Sequence, residues 1–161
     1  GLGAPFVSLY SLVPAGSAAV SVSVNAVPAA STFTLAAGAD YTLLVHGTPA
    51  APSVAWLQDD NRLATSSSAA RLRLVHALAD LTAPLSLTSN FQPVADNVAQ
   101  GAASAATSLE GTTKASLSVT ALGVALPVYS AIEQELKSGA VYSLFVVGKS
   151  ASAVGVLEQD R

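Results

Sequence analysis

At 161 residues, with 51% apolar and 11% charged side chains, a net charge of −3 and no cysteine, the chain lacks the basic footprint of a nucleic-acid binder. It also lacks the thiolates of common zinc and redox sites. Its mean hydropathy of +0.51 is high, but Pro5, Pro14, Gly16 and Pro28 interrupt the uncharged stretch Gly1–Ala39, and a membrane helix needs about 20 unbroken apolar residues.

No transmembrane helix and no signal peptide are read in the chain. The absence of methionine implies a processed, truncated or fragmentary sequence. The absence of both oxidisable sulfur residues suits an exposed, extracellular protein; drift in an Ala-rich composition explains it equally well.

In chain order, Val7–Leu12 alternates and predicts a strand, and Pro14–Gly16 a turn. Val20–Asn25 is the clearest strand, with Val20, Val22 and Val24 on one face and Ser21, Ser23 and Asn25 on the other. A loop follows around Pro28, then a short strand, Ser31–Leu35. Asp40–His46 and Ser53–Asp59 form a hairpin. The small, polar run Ala64–Ala70 reads as a linker. Arg71–Ala77 is a strand with Leu72 and Leu74 inward and Arg71 and Arg73 outward. After a turn at Asp80–Pro84 comes the strand Leu85–Ser89, and Asn90–Gln100 reads as a loop or crossover. Ala102–Leu109 is a weak strand ending at a turn on Gly111. Ala115–Ala121, Val124–Val128, Ala131–Leu136, Ala140–Val147 and Ala153–Gln159 complete the set. Many short strands with closely spaced turns predict an all-β sandwich or barrel.

One stretch occurs twice. Leu35, Gly38, Ala39, Tyr41, Leu43, Val45 and Gly47 recur as Leu136, Gly139, Ala140, Tyr142, Leu144, Val146 and Gly148. The first Gly suits a turn with positive φ, and the alternating Tyr, Leu and Val share one strand face. Allowing for the loss of one residue, Ser53–Asp60 then meets Ala153–Asp160. The duplicated unit is a hairpin whose apolar face needs a second sheet.

Arg71-Leu-Arg-Leu-Val-His-Ala77, Asp80 and Pro84-Leu-Ser-Leu87 resemble the opening of the DUF4397 family. Asn97–Gly101 and the Gly-x-x-Tyr hairpin resemble its later features. Leu78-Ala79 and Ser86 depart from the family's preferences. The resemblance covers Arg71–Arg161 and implies an immunoglobulin-like sandwich of exported and surface proteins, often in tandem, with no established chemistry. The first repeat matches only the later part of the module, with Gly3–Leu9 corresponding to the stretch after Gly101. Two immunoglobulin-like antiparallel β-sandwich modules in tandem are therefore expected: a partial repeat at 1–63 lacking its opening strands, a linker at 64–70, and a complete domain at 71–161. The first repeat then begins late, or takes strands from another chain, or closes as a smaller sandwich.

No catalytic, cofactor or metal residues are assigned. His76 and Asp80 match the family's His-Ala and Asp turn and are read as turn-stabilising. His46 is placed on a solvent face. Asp59-Asp60-Asn61 offers oxygens to a Ca²⁺ ion but reads better as a solvated loop, as do Glu158 and Asp160. Tyr10, Phe33 and Trp56 could form an aromatic platform for a sugar, although Trp56 in a core or interface is the simpler reading. No Gly-x-Ser-x-Gly elbow or phosphate loop occurs.

The first repeat, through Leu63, carries only Asp40, Asp59, Asp60 and Arg62 as charged residues. So few charges suggest a covered surface, or one kept wet by Ser and Thr hydroxyls alone. The expected interface residues are Val7, Leu9, Val20, Val22, Val24 and Trp56. The functional expectation is a non-enzymatic structural protein of the cell surface or extracellular space, a filament or sheath subunit joined to other copies of itself by strand complementation. The alternative is an adhesion module for a surface glycan or other polymer.

Overall fold

The computed structural model describes residues 6–161, with residue 113 described by its backbone alone. Twelve strands run through these residues: β1 (Gly16–Val24), β2 (Val27–Leu35), β3 (Asp40–Thr48), β4 (Ala51–Asp59), β5 (Ala69–Leu78), β6 (Leu85–Ser89), β7 (Gln92–Val98), β8 (Thr107–Glu110), β9 (Thr112–Ala121), β10 (Tyr129–Leu136), β11 (Val141–Gly148) and β12 (Val154–Gln159). A single 3₁₀ turn, Ser150–Ser152, joins the last two.

Strands β5–β12 make a complete sandwich of two four-stranded sheets, ordered β10-β9-β6-β7 and β12-β11-β5-β8. Every neighbour is antiparallel except β11 and β5, which run parallel with Ser143 opposite Arg73. Alternation along each strand supplies the core between the sheets: Leu72 and Leu74 of β5, Leu85 and Leu87 of β6, Leu117 and Val119 of β9, and Leu144 and Val146 of β11 are all buried there.

The first repeat contributes two hairpins, β1-β2 and β3-β4. Phe33 of β2 stacks on Trp56 of β4, with centroids 5.7 Å apart and planes at 16°, and meets Tyr41 of β3 edge-on. The β3-β4 hairpin matches β11-β12 residue for residue at an offset of 101. Tyr41 faces Gln58 as Tyr142 faces Gln159, and Thr42 faces Leu57 as Ser143 faces Glu158. Gly38 and Gly139 have φ of 74° and 78°, and the repeated turn is latched alike: the Tyr41 hydroxyl accepts from the Ala36 N–H, the Tyr142 hydroxyl from that of Lys137. No residue is lost between the copies, so the counterpart of Trp56 is Leu157 rather than Val156.

The fold class holds, and several local expectations change. Val7–Leu12 forms no strand. Its counterpart β8 is held by antiparallel pairing with β5, and no strand equivalent to β5 borders the first repeat among the described residues. Gly3–Pro5, part of the stretch compared with the residues after Gly101, lies outside the described residues. Pro28 belongs to β2: Asn25 and Ala26, both at positive φ, close a two-residue turn, which leaves Pro28 opposite Ser23 at a site needing no donor. The same turn type at Asn90-Phe91 creates β7 where a loop was expected. Val124–Val128 forms no strand; it leaves β9 by a turn at Gly123 and rejoins through the Val128 N–H on Val119 O. Ala69 and Ala70, at the end of the expected linker, already belong to β5.

Candidate functional site

The two repeats differ in what borders their strands. In the complete sandwich β9 pairs with β10 on one side and β6 on the other, and β11 with β12 and β5. In the first repeat β1 pairs with β2 alone and β3 with β4 alone. Among the described residues, therefore, β1 and β3 each carry one open edge. An open edge presents a row of unpaired N–H and C=O groups. Val20, Val22 and Val24 lie half-buried on the β1 face shared with Phe33. Val7 is half-buried, Leu9 is 84% exposed and Leu12 fully so.

Arg71 and Arg73 do not point to solvent, because β3-β4 lies against the outer face of the β12-β11-β5-β8 sheet. Leu44 packs there with Val75, Ala77 and Phe145, joined by Val7, Ala55, Leu57, Val147 and Val156. Within this contact Arg73, 4% exposed, meets Asp59, whose side chain is fully buried. Nη1 stands 2.7 Å from Oδ1, off the hydrogen-bonding direction, so the contact is an ion pair. Asp59 Oδ2 accepts from the Tyr10 hydroxyl at 2.7 Å and the Thr42 hydroxyl at 2.8 Å. Arg73 Nε donates to Ser143 Oγ, which donates to Asp160 Oδ2, both at 2.6 Å. Asp59 and Asp160 are equivalent residues, as are Thr42 and Ser143, so one arginine spans the same hydroxyl–carboxylate pair from both repeats. Burial raises the Asp160 carboxyl above its usual range, against the Ser143 hydrogen bond and the Arg73 charge, and Asp59 adds to the rise. Burial is also the largest cause of the high Tyr10 phenol.

His46 lies in this interface instead of on a solvent face. A Cβ placed on Gly101 would stand 2.6 Å from His46 Nε2, its Nδ1 is buried without a partner, and burial lowers its basicity. His76 is fully buried: Nδ1 accepts from the Leu78 N–H at 3.4 Å, and Nε2 stands 3.2 Å from Ala83 O. This is the neutral tautomer with its proton on Nε2, and it ties the turn after β5 in place. Asp80 accepts from the Ser150 N–H at 2.7 Å and so fastens that turn to the β11–β12 connection.

The Asp59, Asp60 and Asn61 side chains are engaged elsewhere. Asp60 pairs with Arg62 and Arg71, each at 2.7 Å; Arg62 first, then Arg71, hold its carboxyl far below the usual range. Asn61 donates to Asp40. Among the described residues no three His, Cys, Asp or Glu side chains group to hold a metal. The aromatic trio is split: Phe33 covers one face of Trp56, while Tyr10 turns to Asp59. Trp56 Nε1 is buried without a partner.

Sequence reasoning missed the Arg73–Asp59 pair. Its signal was the constant offset of 101, which puts Asp59 with Asp160 and Thr42 with Ser143. No helix among the described residues is long and apolar enough to cross a membrane.

No curated protein matches the chain. A family model described as a domain of unknown function, DUF4397, matches residues 1–83. The match takes in the first repeat, the connection after it, β5 and the His76 turn, and shares residues 71–83 with the resemblance argued from Arg71 onward. Since it spans more than half of the 161 residues, the chain belongs to the DUF4397 family.

Proposed function

We propose that the chain is a non-enzymatic structural protein of the cell surface or extracellular space, whose first repeat takes up β-strands from neighbouring subunits. The observation that carries this reading is the pair of edges on β1 and β3 left open among the described residues, where the equivalent β9 and β11 are bordered on both sides. Strand addition at such edges is a recurrent mode of protein association. Strand addition between non-equivalent surfaces of successive copies is heterologous, and a contact of that kind extends into a filament or sheath when its rotation does not close. The low charge of the first repeat favours the same reading, because little on it repels a neighbour. Static light scattering over a concentration series, followed by negative-stain microscopy, tests it. Particles that grow with concentration and elongate are expected, and Ser21→Pro in β1 or Leu43→Pro in β3, each at a position whose N–H faces the open edge, should shorten them. A monomer at every concentration refutes self-assembly.

A further inference from the structure

The contact between the repeats joins equivalent surfaces. Thr42, Leu44 and His46 of β3 and Ala55, Leu57 and Asp59 of β4 form one side. Their counterparts Ser143, Phe145 and Val147 of β11 and Val156, Glu158 and Asp160 form the other. A face meeting its own equivalent is the geometry of a two-fold exchange, in which each contact occurs twice. One contact here occurs once. Arg73, on the strand parallel to β11 and opposite Ser143, crosses to Asp59. The return contact would come from a strand parallel to β3, with its residue opposite Thr42 crossing to Asp160. That strand is the one β3 lacks. The cluster accordingly holds two carboxylates, Asp59 and Asp160, against Arg73 alone.

We propose that the open edge of β3 is a receptor for a second β5-type strand, bound parallel to β3 and carrying an arginine that pairs with Asp160. The strand's alternate residues cover the apolar floor around Leu44 and Phe145, as Val75 and Ala77 do from β5. Its arginine donates to Thr42 and reaches Asp160, as Arg73 donates to Ser143 and reaches Asp59. Strand β5 itself is held between β11 and β8, so the donor strand is a different one. Only one arginine is called for. Arg71 meets Asp60 in the existing contact, whereas the residue equivalent to Asp60 is Arg161, which would repel a second arginine. Val7 and Tyr10 reach the same cluster from a segment without strand pairing.

The proposal rests on the reading that β3 takes up a strand, and the two can fail separately. The probe is a fluorescent synthetic peptide of the Ala69–Leu78 sequence with terminal lysines for solubility, titrated into the full chain and followed by anisotropy. Binding is expected, weakened about tenfold or more by Arg73→Met in the peptide and less than about threefold by Arg71→Met. Against an Asp160→Asn protein the penalty of the peptide's Arg73→Met should shrink to less than about threefold. Equal losses for the two arginines, or an Arg73→Met penalty that persists against Asp160→Asn, overturn the arginine pairing while strand addition stands. Absence of any binding overturns the β5-type receptor, and the light-scattering series judges self-assembly separately. If the protein variant does not fold, the two peptide variants decide. Direction is checked by disulfide trapping, since the chain has no cysteine. Asp40→Cys should capture a peptide with Arg71→Cys and not one with Leu78→Cys; the reverse result overturns the parallel register.

Discussion

Replacing Arg73 by methionine keeps the bulk of its aliphatic stem and removes the charge. Asp59 is then left with a fully buried carboxylate, held by the Tyr10 and Thr42 hydroxyls and by no cation. Removing one partner of a buried pair costs about 3–5 kcal/mol, chiefly for the charge left behind. The chemistry also sets a ceiling, because a stranded carboxyl can take up a proton instead. For a carboxyl of ordinary acidity that costs about 4 kcal/mol at pH 7 and about 1.5 kcal/mol at pH 5. Arg73→Met should therefore cost about 4 kcal/mol at pH 7 and lose more than half of that penalty at pH 5. Urea unfolding at the two pH values measures it, read by the fluorescence of Trp56, the single tryptophan, which reports on the first repeat. Adding Asp59→Asn keeps an oxygen acceptor for both hydroxyls and should restore most of the loss. A penalty below about 1 kcal/mol at pH 7, or one that is the same at both pH values, would refute the buried-charge argument.

Burial lowers the basicity of both His46 and His76. The unfolded chain therefore takes up their protons first, and stability present above about pH 6.5 is lost as pH falls below it, by at most about 1.4 kcal/mol per pH unit for each histidine. His46→Gln should reduce the slope of unfolding free energy between pH 6.5 and 5.5; an unchanged slope would clear His46 of that role. Asp160, raised chiefly by burial, works in the opposite sense: its contribution is complete below the ordinary carboxyl range and is lost as pH rises through its folded value. Asp160→Asn should therefore raise the melting temperature more at pH 7 than at pH 4, and a lowered value at pH 7 would contradict this. A Cβ on Gly155 would enter the ring of Tyr129, so Gly155→Ala should cost about 1–3 kcal/mol by overpacking, largely recovered in a double variant with Tyr129→Leu; calorimetry of the pair decides. Tyr142→Phe should cost about 1 kcal/mol through the lost bond from the Lys137 N–H, and Tyr41→Phe, whose bond is longer and exposed, less; equal losses in thermal unfolding would deny the difference.

The strands were legible wherever side-chain alternation coincided with a covered face. Val20, Val22 and Val24 alternate because one face of β1 is turned inward, and the Gly-x-x-Tyr turn is visible in both copies because only glycine enters its positive φ at no cost. Alternation did not reveal whether a strand has a neighbour. Val7–Leu12 and Val124–Val128 alternate and still form no strand, since a strand is made by pairing. The two-residue turns at Asn25-Ala26 and Asn90-Phe91 lack the glycine that usually announces them, which hid the start of β2 and all of β7. Arg71 and Arg73 were misplaced because alternation assigns two faces to a strand without saying what lies beyond each. In β5 both faces are buried, one by the opposing sheet and one by the first repeat.

The same limit explains why the site was missed. A slip of one residue moves every side chain of a strand to its other face. Pairing Trp56 with Val156 matched an inward residue to an outward one and left Asp59 opposite Gln159, so no shared charge was visible. At the constant offset Asp59 matches Asp160, and the contact between repeats becomes a surface facing its own equivalent with one ion pair missing. A buried carboxylate needs a cation or a proton, and hydroxyl donors alone do not neutralise it. Arg73 serves Asp59, whereas Asp160 accepts only from the Ser143 hydroxyl among the described residues. An arginine-bearing strand at β3 would add the missing cation and the missing ladder of backbone hydrogen bonds together. The open ladder is on β3 and Asp160 stands across the contact between the repeats, so a single donated strand answers both.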